Sequence, residues 1–418
     1  MRILFTNNTL AARGGTECYI LDVAPALRAL GHDVAAFTLE PGGVADELRA
    51  AGIPVVDDPR LLPWTPDVIH GHHAIETTLV AMTARSSPVL SFCHGPEAWQ
   101  EAPCRLPNVA RWVAVDEACR ERLIHEEGIP ADRVALVLNF VDMRRFPARD
   151  PLPARPQRAL VFSNYLSPGH PVMRAIAESC AERGIAVEGC GAGFGNPTTE
   201  PEKLLGSYDI VFAKARCALE AMAAGCAIIQ ADHFGVGRLV TSANFDEIRP
   251  WNFGYRSMRR EASAAILGAE LDAYDAADAG AVSLRVRSEA SLDAALLQLE
   301  ALYHEASTFV PPAYDPALEA ADMLRFQLFL SKQPLEALRK TADLPLRLPR
   351  PGARGSQREL WNALRHGHET RDEKRVIRLE EKLETANEKI QDLQTRLKEA
   401  RAAKPLKQGG WRRWFGRD

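Results

Sequence analysis

The fold is decided most clearly by residues 212–229, which have the sequence FAKARCALEAMAAGCAII. An apolar strand is predicted to end near Ala213, a helix runs to Ala224, Gly225 ends that helix, and a second apolar strand follows at once. A strand, a helix and a strand in close succession form a βαβ unit, whose two strands lie parallel in one sheet.

The same alternation extends in both directions from this unit. Helices are predicted over Thr16–Leu30 and Val44–Ala51, each following a strand. The predicted strands are Arg2–Thr6, Asp33–Phe37, Val55–Val56, Val68–His70, Pro88–Phe92, Trp112–Val115, Ala159–Phe162, Val187–Cys190, Ile210–Ala213 and Ala227–Gln230. Strands that alternate with helices predict an α/β protein with doubly wound parallel sheets.

A break in this series divides the chain. Residues 145–157 contain four prolines and several charges, which is typical of a linker. We therefore predict two Rossmann-like domains, residues 1–150 and 151–310, with a ligand cleft between them at the carboxyl ends of the strands. The helix Ser291–Glu305 is expected to close the second domain, with Ser291 as its N-cap.

The remaining residues differ in character. A helix over Pro316–Gln333 and a Pro-, Arg- and Gly-rich connector are predicted within 311–370. A coiled coil is predicted within 371–403 because apolar residues from Val376 to Ala400 alternate at spacings of three and four. That seam predicts self-association, and a single solvated helix is the alternative because the seam is short and includes two alanines.

The C-terminal tail, residues 404–418, combines aromatic and cationic residues. Trp411, Trp414 and Phe415 are interleaved with arginines, a composition that suits peripheral contact with an anionic membrane surface. A disordered solubilising end is the alternative because the segment is too short to bind tightly alone.

Composition excludes several classes of protein. The formal net charge of −4 argues against a nucleic-acid partner, and no run of about 18 apolar residues predicts a membrane span. The N-terminal segment becomes polar too early for a secretory signal. Eight scattered cysteines without a Cys-x-x-Cys pair suit a reducing compartment. We expect a cytoplasmic protein, with the tail as a reason to expect peripheral contact at the inner face of the membrane.

Two strand-to-helix turns are candidate anion sites. Gly14 and Gly15 let the backbone approach a ligand at a helix N-terminus, where a phosphate is the expected guest; a tight turn without a ligand is the alternative. Lys214 and Arg216 offer two cations for a diphosphate at the second turn. Glu220, one helical turn after Arg216, is positioned to accept hydrogen bonds from ribose hydroxyls. The alternative there is a surface ion pair between Arg216 and Glu220.

Several strings resemble the retaining family 4 glycosyltransferases, which have the GT-B fold. They are ALEAMAAG at 218–225, NFVDMRRF at 139–146, DVIHGH at 67–72, FCHG at 92–95 and the glycine pair at 14–15. The resemblance covers about residues 1–305. It implies a first domain that binds the acceptor and a second domain that binds a nucleotide-sugar donor.

The resemblance also implies roles for single residues. His94 would serve the reacting centre, Lys214 and Arg216 would stabilise the leaving diphosphate, and a loop containing Gly235 and Gly237 would touch the transferred sugar. Two departures stand out: Phe212 occupies the position of the family's first glutamate, and residues 162–170 lack the family's arginine and lysine.

The function predicted from these observations is sugar transfer from a nucleotide-diphosphate sugar to a hydroxyl acceptor on a glycan or lipid. The resemblance implies retention of configuration, a role in surface polysaccharide assembly and no metal or other cofactor. His70, His72 and His73 are close in sequence, but no Cys or carboxylate cluster completes a metal site. Two alternatives stay open: a sugar-nucleotide epimerase or hydrolase on the same fold, and a degenerate, non-catalytic scaffold.

Overall fold

A computed structural model describes residues 1–313 and 315–331, which belong to one compact unit, Met1–Leu344. The predicted coiled-coil seam, the connector after the last described helix and the tail at 404–418 lie outside the described residues.

The first sheet has seven parallel strands in the order β3-β2-β1-β4-β5-β6-β7. Its strands are β1 (Arg2–Leu10), β2 (Asp33–Pro41), β3 (Val55–Val56), β4 (Val68–His72), β5 (Val89–Cys93), β6 (Val109–Ala114) and β7 (Val134–Leu136). The connecting helices are α1 (Gly15–Ala29), α2 (Gly43–Ala50), α3 (Ala74–Thr83) and α4 (Glu117–Glu121), the last continued by a π-helical turn. The reversal of strand order beside β1 makes this sheet doubly wound.

The second sheet has five strands in the order β12-β11-β10-β8-β9, parallel except for β12, which runs antiparallel to β11. Its strands are β8 (Arg158–Phe162), β9 (Ala186–Cys190), β10 (Ile210–Ala213), β11 (Ala227–Asp232) and β12 (Gly235–Leu239). The helices that follow are α5 (Pro171–Ala181), α6 (Pro201–Leu205), α7 (Ala215–Ala223), α8 (Phe245–Ile248), α9 (Ala264–Asp272), α10 (Ala276–Glu289), α11 (Leu292–Ser307) and α12 (Pro316–Ser331).

The predicted α/β architecture is confirmed, and each of the ten predicted strands has its counterpart. The two remaining strands, β7 and β12, were not predicted. The largest differences are at β1 and β2. Strand β1 continues through polar Asn7 and Asn8 to Leu10, and β2 continues past Phe37 to Pro41, because the two strands pair up to that point. Local hydrophobicity marks a strand's buried part, whereas sheet pairing decides where it ends.

The helix α11 corrects one expectation. Its N-cap is the one predicted: the hydroxyl of Ser291 accepts a hydrogen bond from the backbone N–H of Ala294 at 3.2 Å. Its apolar face, however, does not close the second half of the chain. Leu292, Leu299 and Tyr303 are buried in the core around the first sheet, where α11 contacts α1, β4 and β5. The chain therefore crosses back, and hydrophobic periodicity alone does not reveal which sheet an apolar helix face will cover.

The last described helix, α12, lies within the range predicted for it. No helix among residues 1–313 and 315–331 combines the length and the apolar character needed to cross a membrane. The division of residues 1–344 into two domains near residue 150 stays a prediction.

Candidate active site

Arg216 joins the second sheet's helix α7 to the first sheet's helix α1. Its Nε donates a hydrogen bond to Oε1 of Glu220 at 2.7 Å, and its Nη2 donates to Oδ2 of Asp22. The side chains of Arg216, Asp22 and Glu220 are only 17%, 4% and 7% exposed. The ion pair between Arg216 and Glu220 that the sequence offered as a surface alternative does form, but it is buried and has a third member.

Arg145, in the segment between β7 and β8, also binds Asp22. Its Nη1 donates to the other oxygen of Asp22 at 3.2 Å, and its Nη2 donates to Oε2 of Glu202 at 2.9 Å. The carboxylate of Asp22 thus bridges two guanidiniums. We call these five residues, Asp22, Arg145, Glu202, Arg216 and Glu220, the Asp22 network.

Burial disfavours the charged forms of both Glu220 and Arg216, but the net pKa shifts have opposite consequences for their charges. Burial raises the pKa of Glu220 above its ordinary value, and Arg216 opposes that shift only in part. Burial by itself would lower the pKa of Arg216, but Asp22 and Glu220 outweigh it and the net shift is upward. Arg216 therefore remains charged, and protein carboxylates neutralise it.

Lys214 does not join this network. Its ammonium forms an ion pair with the fully buried Asp232 and lies 4.7 Å and 4.8 Å from the ring centroids of Tyr165 and Phe234. Asp232 also accepts a hydrogen bond from the hydroxyl of Ser163 at 2.9 Å. Of the three polar residues predicted at this turn, Arg216 contacts Glu220, whereas Lys214 pairs with a different carboxylate.

The glycine turn before α1 also contains a carboxylate of the protein. Gly14 is the N-cap of α1 and provides no side-chain cap. A side chain at Gly14 would collide with the carboxylate of Glu17, which is buried in the first turn and whose pKa is raised by that burial. Gly15 has open space where a Cβ would lie. An anionic group thus already lies at the helix N-terminus that was predicted to bind phosphate.

His94, directly after β5, belongs to a group of rings at the strand ends of the first sheet. Its ring centroid lies 4.3 Å from that of His72 and 5.1 Å from that of Tyr19, and His70 lies 4.8 Å from His72. We call Tyr19, His70, His72 and His94 the histidine cluster. Burial lowers the pKa of His94 to about 4 and lowers the pKa of His70 and His72 well below the ordinary value. All three imidazoles are therefore neutral at pH 7.

Several polar atoms of the histidine cluster have no hydrogen-bond partner among the described residues. They are the hydroxyl of Tyr19, Nε2 of His70, both ring nitrogens of His72 and Nε2 of His94. By contrast, Nδ1 of His70 is hydrogen-bonded to the hydroxyl of Tyr303 at 2.7 Å. Neutral imidazoles with a free nitrogen are suited to hydrogen-bond a hydroxyl group.

The polar contacts of His73 are made outside the histidine cluster. Its Nδ1 accepts a hydrogen bond from the backbone N–H of Asn8 at 3.2 Å, and its Nε2 lies 3.4 Å from Glu101. Glu101 also accepts a hydrogen bond from the backbone N–H of His94 at 2.8 Å, which ties the two turns together. Within the part of the chain that the structure describes, no three His, Cys, Asp or Glu residues are arranged to hold a metal ion.

Gly235 and Gly237 correct another expectation. They lie in strand β12 rather than in a loop, and both are buried. A Cβ on Gly235 would lie 2.9 Å from the carbonyl oxygens of Met258 and Arg260, and one on Gly237 would lie 2.9 Å from that of Ser257. Close approach to the neighbouring backbone accounts for Gly235, and the Gln230 side chain, 2.6 Å from a Cβ on Gly237, together with that backbone accounts for Gly237.

Residues 13–145 match the sequence model of Glycosyltransferase Family 4, which confirms the resemblance for that part of the chain. No curated protein matches the chain. A solved glycosyltransferase from Rickettsia africae ESF-5 is 16% identical, with a TM-score of 0.56 over 73% of this chain and 98% of that one. Anabaena Alr3699/HepE, solved in complex with UDP and glucose, is 15% identical, with a TM-score of 0.52 over 72% and 99%. At such identities these likenesses establish the fold, which is GT-B.

Sequence reasoning missed several residues that the structure places beside the predicted ones. Asp22 is a carboxylate within an otherwise largely buried helix, and that was the only local sign of its role. Arg145 lies in a quoted motif but was assigned no partner. Asp232 and His72 end strands β11 and β4, and Tyr19 lies in α1; they become neighbours of Lys214 and His94 only through the tertiary fold.

Proposed function

We propose that this protein transfers a sugar from a nucleotide-diphosphate donor to a hydroxyl acceptor. The observation that carries the proposal is the buried Arg216–Glu220 pair on α7, which contacts α1 through Asp22. The family match over residues 13–145 supports it, as does the neighbour from Anabaena that binds UDP and glucose.

Three of the predicted site residues have separate tasks in this reaction. Arg216 stabilises the negative charge that develops on the leaving diphosphate, and Glu220 accepts hydrogen bonds from the ribose. His94, neutral at pH 7 and with a free Nε2, hydrogen-bonds the acceptor hydroxyl. Retention of configuration, catalysis without a metal, and a glycan or lipid acceptor in surface polysaccharide assembly follow from the family resemblance.

Donor binding is tested first. A panel of nucleotide sugars is added to the full chain and the melting temperature is measured, followed by product analysis with the donor that stabilises most. A transferred sugar supports the proposal, whereas an epimerised or hydrolysed donor favours the alternative enzyme on the same fold.

Kinetics of substituted proteins then test whether Arg216 and Glu220 belong to the donor site. Arg216→Ala should lower turnover about 10²–10³-fold because it removes a charge that acts mainly in the transition state. Glu220→Gln should chiefly weaken nucleotide binding because a ribose contact is made in ground state and transition state alike. Turnover is measured per folded protein, well below the melting temperature. Arg158→Ala is the control, because its side chain is 46% exposed and pairs with Glu188, outside the Asp22 network. Wild-type kinetics in both site variants would contradict the assignment.

A non-catalytic scaffold is the second candidate, and one observation favours it. Glu17, Asp22 and Asp232 already occupy the three positions at which cations or a helix N-terminus were predicted to receive phosphate. On this hypothesis no nucleotide sugar stabilises the protein, and none is consumed.

A further inference from the structure

Asp22 and its two arginine partners have the form of an occupied anion site. One carboxylate oxygen accepts a hydrogen bond from Arg145, in the segment between β7 and β8, and the other accepts one from Arg216 of α7. The carboxylate itself is 4% exposed. Two guanidiniums that converge on one buried anion offer the planar, forked donors that recognise phosphate as well as carboxylate.

We infer that Arg145 and Arg216 together form a phosphate-binding pair for the donor diphosphate, and that Asp22 is an internal competitor which the diphosphate displaces. The inference rests on the proposed function for the identity of the donor. It adds Arg145 to the residues that bind the donor diphosphate. It also means that Asp22 weakens donor binding rather than only stabilising the folded protein.

A cavity beside Arg145 gives a ligand access to the Arg145 side of this pair, while Arg216, which is 17% exposed, does not line it. Asp22 and Arg145 line a cavity of about 560 Å³, a volume within the range of small-molecule sites. Leu21 and Pro25 contribute apolar lining. The charged residues that also line the cavity are Arg13, Arg144, Glu47, Asp142, Glu200 and Glu202. Arg145 is 29% exposed, so a ligand in the cavity reaches its guanidinium without unfolding any element.

Contacts with Glu202 and Glu220 keep both guanidiniums in place when a diphosphate displaces the Asp22 carboxylate. Glu202 holds Nη2 of Arg145 at 2.9 Å, and Glu220 holds Nε of Arg216 at 2.7 Å. Each arginine thus retains one orienting carboxylate and frees the nitrogen that Asp22 had engaged. A diphosphate carries more negative charge than a carboxylate, so it gains more from the two freed donors.

The test is titration calorimetry on the full chain with two probes, UDP and inorganic pyrophosphate. Asp22→Asn should bind both probes about tenfold more tightly, because the competing charge is removed from a site that is otherwise only fractionally available. Arg145→Gln should bind both about tenfold more weakly, and the double variant should lose the gain. If Asp22→Asn binds no better than wild type, or more weakly, Asp22 is only a structural partner and the inference is overturned.

Asp142→Asn is the matched control. Asp142 lines the same cavity but pairs with Arg144. Its loss removes the same charge from the cavity without freeing the guanidinium pair, so the affinity for pyrophosphate should change much less. An equal gain in both variants would show a general effect of charge and would overturn the inference.

Further outcomes separate this inference from the proposed function. If Asp22→Asn does not fold, as judged by circular dichroism, Arg145→Lys decides: it keeps the charge but loses the fork, so it should bind pyrophosphate several-fold more weakly, and unchanged affinity would overturn the inference. If no donor is consumed but pyrophosphate follows the expected pattern, the anion site stands and the transferase proposal fails. If transfer is measured and UDP affinity is the same in wild type, Asp22→Asn and Arg145→Gln, the transferase proposal stands and the inference about the anion site is overturned.

Discussion

The histidine cluster and the Asp22 network are neighbouring buried polar regions that deal with ionisable groups in opposite ways. Helix α1 contributes to both, since Tyr19 and Asp22 lie one turn apart. In the cluster, burial makes the imidazoles neutral and leaves several of their nitrogens without partners. In the network, the arginines keep their charge because carboxylates surround them. A group that titrates near neutrality can lose its charge on burial, whereas a guanidinium must be paired.

Because of this difference, removing one side chain has different consequences in the two regions. Removal of one partner from the network leaves a buried charge uncompensated, which is costly. Removal of one ring from the cluster leaves no such charge, so its main effects are on pH dependence and local packing.

The largest effect is expected from Arg216→Ala. Asp22 and Glu220 would remain buried with one fewer positive partner, so the free energy of unfolding should fall by about 3–5 kcal/mol. Chemical denaturation at pH 7 measures it. The control Arg144→Ala breaks an ion pair whose arginine is 66% exposed, and it should cost about 1 kcal/mol or less. Equal losses in the two variants would mean that burial of the network contributes nothing.

The pH dependence of the histidine cluster should come next. Between pH 6.5 and about 4 the unfolded chain binds a proton at His94 that the folded protein does not, so the free energy of unfolding falls as the pH falls through this window. The contribution is about 3 kcal/mol above pH 6.5. His94→Gln should flatten this part of the stability profile, measured by urea denaturation from pH 7 to 4. An unchanged slope in this variant would show that His94 titrates normally in the folded state.

Glu220 should contribute to the same profile with the opposite sign. Its raised pKa means that the folded protein retains a proton which the unfolded chain loses above about pH 4.5. That contribution is fully present below pH 4.5 and is lost as the pH rises through the folded pKa. Subtracting the profile of Glu220→Gln from that of wild type should isolate it, and a difference that grows in the direction expected for His94 would contradict the comparison.

A smaller loss of stability is expected when the hydrogen bond between His70 and Tyr303 is removed. Tyr303→Phe removes the hydroxyl that is hydrogen-bonded to Nδ1 of His70 and leaves another buried nitrogen unsatisfied. The free energy of unfolding should fall by about 1–3 kcal/mol. If thermal and chemical denaturation show no loss, then unpaired nitrogens in this cluster carry no measurable cost.

Ser291→Ala gives the baseline outside both regions. It removes the side-chain cap of α11 without touching a charge or an imidazole, and it should cost about 1 kcal/mol. A loss as large as that of Arg216→Ala would mean that docking of α11 on the first sheet, rather than the network, dominates stability.

The sequence by itself determined the local units of this protein. The β10–α7–β11 unit, the cap at Ser291 and the α/β alternation all follow from patterns within about 20 residues, because hydrophobic periodicity and capping are local properties. The family resemblance also rested on short strings. Arg216 and Glu220 were predicted as neighbours because i and i+4 residues share a helix face.

Only the tertiary structure decided what these units contact. Asp22 and Arg216 are 194 residues apart, and nothing in either segment specifies the other as its partner. The same holds for Lys214 with Asp232, for His94 with His72, and for α11, whose apolar face fits either sheet in principle. Burial of a side chain depends on the packing of distant elements, and so do the pKa of His94 and the occupancy of the guanidinium pair by a carboxylate.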